Sequence, residues 1–264
     1  MVLETMLSTK AIRARPLYML ALSAIISAVC VFVAYFIFPE YAGIITPLLV
    51  TIVMTPLMYK IFKEEEREEV QQAKHKIHMS LFSRRADVIF LFSLFFIGNF
   101  ISIFLIALAF PQSFIVEAFS QQLSEITAIS GAVIAPVSLN AILFNNLRVM
   151  TFAFILSILF CTGAILILSW NASILAIYLA SFIKKGLIAQ FFFQTLGIFP
   201  HTVIEILAYF LAGIAGGILS VGLIREKIKS KEFKLVLFDS LILFGFGIAA
   251  VICGAIIEVL FIGA

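Results

Sequence analysis

Residues 199–224 read FPHTVIEILAYFLAGIAGGILSVGLI. From Ile206 to Ile224 the run carries no charge. At 1.5 Å per helical residue it is about long enough to cross ~30 Å of hydrocarbon. At its mouth His201 and Glu205 stand four apart, on the same side of a helix. Ionisable side chains inside a membrane span are costly, so by default they mark a function or a buried partner. Similar apolar runs occupy 17–38, 88–110, 151–168 and 235–264. Another covers 42–62 and carries Pro47 and Pro56, which membrane spans tolerate better than soluble helices do.

Composition agrees, with 63% of residues hydrophobic and 12% charged at a mean hydropathy of +1.17. The chain reads as an all-α, polytopic helical membrane protein, a single transmembrane domain over 1–264. About six full spans are expected, plus re-entrant or half-length helices. The strand-period alternation of a membrane barrel is absent. The run at 17–38 follows Lys10, Arg13 and Arg15, yet it is too long for a signal-peptide core and no small-residue cleavage site follows it. It is read as an uncleaved first span. Cys30, Cys161 and Cys253 fall inside expected spans without CxxC spacing, so they are expected as small buried residues and no disulfide is expected.

Basic residues cluster at 10–15, 60–85 and 225–234, whereas 39–41 and 111–140 hold no Lys or Arg. Lys and Arg near span ends mark the cytoplasmic side. The expected orientation in the cell membrane is therefore N-terminus inside and C-terminus outside. The stretch 63–87 starts Lys-Glu-Glu-Glu-Arg-Glu-Glu and ends basic, which suits a helix macrodipole. A cytoplasmic helix extending the second span is expected, its charges a solvated face or a dock for a soluble partner. His75 and His78 lack further metal ligands nearby. In 111–147, Phe114, Ile115, Ala118, Phe119, Leu123, Ile126 and Ile129 recur at helical spacing, as in an interfacial helix outside the membrane. Residues 131–144, interrupted by Pro136, are half a span long and are expected to dip into the membrane. Two apolar pieces, 174–183 and 187–199, flank Lys184-Lys185-Gly186 and read as a re-entrant hairpin or two short tilted spans.

This orientation brings His201, Glu205, Glu258 and Asn171 to one level near the outer leaflet. Buried charges must be paired or neutralised, and His201 with Glu205, or either with Glu258, are the available partners. The cluster is a clip between helices or a binding site. A metal centre would need more ligands, and HExxH is missing. Asn145-Asn146-Leu147-Arg148 lies at an expected elbow, where asparagine can satisfy free backbone ends and Arg148 can meet inner-face lipid phosphate. Gly213, Gly216 and Gly217 make a face for close helix packing. No phosphate-cradling loop or Ser-His-Asp set occurs, no cofactor is expected, and nucleic acid is not an expected partner.

Phe144-Asn145-Asn146-Leu147-Arg148-Val149, then Trp170-Asn171-Ala172, then Phe199-Pro200-His201-Thr202-Val203-Ile204-Glu205, in that order, resemble the stage II sporulation protein M family. Residues 208–217 and Ile256-Ile257-Glu258 are similar too, and the first half resembles the archaeal branch more loosely. Glycine is typical of the family where this chain has Ala172 and Thr202. The resemblance implies a non-enzymatic membrane protein. In spore-forming bacteria the namesake holds cell-wall hydrolases at the septum. An archaeal chain has no such wall, so what carries over is the assembly of partners in the bilayer, other membrane proteins or further copies of the chain. The alternatives are a small-solute or ion channel or transporter using His201, Glu205 and Glu258, and, third, an intramembrane metalloenzyme. Single cysteines at Lys10, Lys229, Glu117 and Lys185 test the orientation. Impermeant reagent applied outside should label Glu117→Cys and spare Lys10→Cys and Lys229→Cys, and cytoplasmic labelling of Glu117→Cys would reverse the assignment.

Overall fold

The computed structural model describes residues 9–74, 81–132 and 139–262. They form ten α-helices and no strand among the described residues. A short α1 (Thr9–Ala14) leads into α2 (Leu17–Ile37), which ends before Phe38-Pro39, as a helix does when proline follows. After a 3-10 turn at Pro39–Tyr41 come α3 (Ala42–Lys74) and α4 (Leu81–Ala109). Two short helices, α5 (Gln112–Ala118) and α6 (Ser120–Ala132), precede four long ones: α7 (Leu139–Phe160), α8 (Ala164–Lys184), α9 (Ile188–Arg225) and α10 (Lys231–Ile262). Seven of these helices are long and apolar enough to cross a membrane. His75, His78 and Pro136 lie outside the described residues.

Helix α9 is the hub. In its most apolar stretch 83% of residues are buried, against 22% in α7, and it packs on α3, α4, α7, α8 and α10. Every residue of 208–222 is buried, as expected of a helix hydrophobic all round. The Gly213, Gly216 and Gly217 face permits this by meeting three different helices. Gly213 lies against Ala164 of α8, and Gly216 against Phe154 O and Ser157 of α7. A Cβ on Gly217 would stand 2.6 Å from the Phe62 ring of α3. On α10, Gly222 of α9 meets Val236.

The expected break points shift. The span at 151–168 is divided by a turn at 161–163, where Cys161 adopts φ 61° and a side chain on Gly163 would strike the Leu156 backbone. This turn is buried, and its ends are satisfied as a membrane interior requires. Ala164 N–H donates to Ser157 Oγ at 2.9 Å, the Thr162 and Thr55 hydroxyls meet at 2.8 Å, and Cys161 Sγ donates to Gly217 O at 3.7 Å. Asn145 to Arg148 are not an elbow but the second and third turns of α7. The pieces 174–183 and 187–199 are the last part of α8 and the first part of α9, and Asn171 lies inside α8 with its amide donating to Ile167 O. Only Gly186, at φ 72°, breaks the chain there, and α9 runs on through Pro200. Cys30 and Cys161 are buried, but Cys253 is exposed, facing outward from α10.

A larger correction concerns the acidic run. Helix α3 does extend to Lys74, and Arg67 and Glu68 are exposed, yet the other half of its charge is buried. Glu65, Glu66 and Glu69 are 1–2% exposed, and Arg85 is 3% exposed. Arg85 of α4 donates to Glu65 at 3.0 Å and also bonds Glu69. Arg13 of α1 donates to Glu65 at 2.7 Å, and Arg225 of α9 to Glu66 at 2.6 Å. Burial works against the Arg13 charge, but Glu65, Glu68 and Glu64 outweigh it and raise the guanidinium pKa. Four helices are thus tied at one end of the bundle, here called the charged end. At the opposite end Gln122 of α6 donates to Gly43 O at 2.9 Å and to Ser173 at 3.0 Å. Lys184 reaches Phe110 O at 2.5 Å there.

Removing Arg85 would take one cation away from two buried carboxylates, Glu65 and Glu69. Arg85→Met should therefore cost ~3–5 kcal/mol in detergent unfolding, and adding Glu69→Gln should recover part of it. Arg67→Met, on the exposed side of α3, should stay within ~0.5 kcal/mol. Equal losses for the two arginines would refute the network.

Candidate functional site

Asn146, Glu205 and Glu258 meet from three helices. Two turns into α7, Asn146 is buried and its Nδ2 donates to Glu205 Oε1 of α9. Its Oδ1 accepts from the Tyr209 hydroxyl at 3.0 Å and, at 3.4 Å, from Asn145 Nδ2. The Glu258 carboxyl of α10 lies within hydrogen-bonding reach of Glu205. Gly254 lets α10 come this close, since a Cβ there would sit 2.9 Å from Glu205 Cγ. One layer along, Gly247 packs against Met150 Sδ and Ala208 O in the same way.

The position along α9 follows from helix rise. Glu205 is some twenty residues, roughly 30 Å, from Arg225 at the charged end. The cluster therefore lies one hydrocarbon thickness away from that end. Helix α9 begins well before Glu205, at Ile188, so the carboxyl is near the middle of a long helix rather than in its first turn. Arg148, two residues from Asn146, is exposed and shares this level. It is far from Arg225, so the two arginines do not lie at one end of the bundle, and the expectation that places both at the inner face does not fit this arrangement.

His201 is 6% exposed and its Nδ1 has no hydrogen-bond partner. It does not pair with Glu205, whose contacts go to Asn146 and Glu258. Asn171 is turned into its own helix, toward Ile167 O at 2.7 Å. Tyr209 was missed in the sequence, although the spacing 201, 205, 209 puts it on the same helical face. Also missed was the seam of Asn99, which accepts from Ser169 at 3.2 Å. Among the described residues, no three His, Cys, Asp or Glu side chains are grouped to hold a metal. What this arrangement does chemically is tie α7 to α9 at one level through Asn146, Glu205 and Tyr209, with Glu258 of α10 beside them.

Truncation leaves a buried amide or carboxyl unpaired, at ~1–3 kcal/mol each. Asn146→Ala and Glu205→Ala should each destabilise the protein in detergent, with Glu205→Gln milder because it keeps an acceptor for Asn146. The double alanine change should fall short of the sum by ~0.5–3 kcal/mol. Additive losses would show that the two side chains do not interact.

Comparison with known proteins adds one finding. No curated protein and no solved structure matches the chain. The family model described as Stage II sporulation protein M matches residues 20–262, which includes the cluster, the glycine face and all seven long apolar helices almost entire. The chain, a membrane-embedded helical protein, belongs to the stage II sporulation protein M family.

Proposed function

We propose that the chain is a non-enzymatic scaffold of the cell membrane, which assembles or positions partner proteins in the bilayer. The observation that supports this most is how the polar groups are used. Asn146, Glu205 and Tyr209 bond one another across helices, and Gly213, Gly216 and Gly217 are filled by Ala164, Ser157 and Phe62. These residues build a rigid frame. The recognition work then falls to the outer helix faces, among them the outward side of α7. The charged end, with its basic residues, faces the cytoplasm in this reading.

A second reading, a solute or ion pathway, draws on His201, buried with Nδ1 unpartnered, one helical turn from Glu205. The two readings separate by experiment. Crosslinking in native membranes followed by pull-down should recover the same partner complex, or a homo-oligomer, reproducibly. The purified protein in proteoliposomes should pass no cation or small solute above the empty-vesicle rate. Partner-free monomer at native abundance, together with measurable flux, would replace the scaffold by the pathway.

A further inference from the structure

The turn between α9 and α10 and the first turn of α10 carry four lysines with no ion pair to a described residue. Residues 225–234 read REKIKSKEFK, five basic residues against two acidic. Arg225 is spent on Glu66. Lys227, Lys229, Lys231 and Lys234 are all exposed, and no described residue forms an ion pair with them. The turn that presents them is fixed in shape. Ser230 N–H donates to Lys227 O at 2.7 Å, and Ser230 Oγ accepts from Phe233 N–H at 3.0 Å, capping the start of α10. Val236 packs on Gly222 just behind it.

Two isoleucines stand among the lysines and point outward, Ile224 at 70% and Ile228 at 67% exposure. Isoleucine at the tip of a tight turn finds no cover within the chain. The turn joins two membrane-length apolar helices, so it sits where hydrocarbon meets headgroups. Lysines there hold their ammonium groups at phosphate level while their stems and the isoleucines enter the apolar side. Each such cation adds attraction to an anionic leaflet that fades within a Debye length.

We propose that this turn is a binding site for the phosphate of anionic lipid headgroups, with Lys227, Lys229, Lys231 and Lys234 as the cations and Ile228 as the apolar anchor. Charge selects the lipid, and the inserted isoleucine ties the selection to a bilayer rather than to a dissolved anion.

The test uses the full chain in nanodiscs of phosphatidylcholine mixed with phosphatidylglycerol, with the lipids retained after extraction read by native mass spectrometry. The wild type should retain phosphatidylglycerol several-fold over its share of the mixture, and added salt should lower the excess. Changing the four lysines to glutamine should remove the excess, changing them to arginine should keep it, and Ile228→Ser should reduce it. Lys185→Gln, an exposed lysine at the opposite end, should leave it unchanged. An undiminished excess in the glutamine variant overturns the proposal, as does an equal loss in Lys185→Gln. Displacement of the lipid by equimolar inorganic phosphate would mark a small-anion site, and displacement by an acidic polypeptide would mark a protein-docking site. Either result also overturns it.

Discussion

Helix α9 can be central only because glycine lets three neighbours reach its backbone. In a bilayer the surrounding tails are as apolar as leucine, so helices gain little from hydrophobic association and depend on close packing and polar contacts. Residues 208–222 are buried on every side, and the thinnest points of that wall are Gly213, Gly216 and Gly217. Ala164, the Phe154–Ser157 turn and the Phe62 ring occupy the volume their side chains would need. The Phe62 ring in turn packs on Phe92, with centroids 5.8 Å apart, and Phe92 on Phe210 of α9. A bulkier α9 would push α3, α7 and α8 apart together.

The charged end obeys a different constraint. Glu65, Glu66 and Glu69 leave water almost completely, which is unfavourable unless cations follow them inside. Three arginines do, each from a different helix: Arg13, Arg85 and Arg225. A buried ion network contributes less to net stability than apolar packing of the same volume would, but it tolerates few alternative arrangements. The network therefore acts on which arrangement forms. It requires α1, α4 and α9 to arrive beside α3 with their guanidinium groups at the right turn of the helix.

How much of this could be read from the sequence depended on the range of each interaction. Hydropathy is local, so membrane-length helices and the two apolar prolines of α3 were legible. The Gly186 break was legible as well, marked by Lys184-Lys185-Gly186 between two apolar pieces. The turn at 161–163 was not, because Cys161 in a left-handed conformation has no residue signature and its partners Thr55 and Gly217 are distant. The run Lys63-Glu64-Glu65-Glu66-Arg67-Glu68-Glu69 looks solvated by composition. Its partners lie 52, 20 and 159 residues away. The same holds for the candidate site. Glu205 and Glu258 were found as costly groups needing company. Helical spacing suggested His201 for Glu205, whereas the actual donor is Asn146, 59 residues away.

Taken along α9, the polar contacts solve a problem that apolar packing leaves open. An all-round apolar helix can slide or turn against its neighbours at small energetic penalty, since one leucine or isoleucine contact replaces another. Among the polar fixings along this helix are three spread over its buried length: Glu205 with Asn146, Gly217 O with Cys161 Sγ, and Arg225 with Glu66. A slip of one turn, about 5.4 Å, would break all three at once and leave buried donors and acceptors unpaired. It would also bring side chains to the places now held open by glycine. The outer two fixings are roughly 30 Å apart, so they also resist tilting, which a single fixing would not. The register of the hub is therefore set by a few polar groups spread across the thickness of the membrane, while the apolar majority supplies the contact that makes the register worth holding.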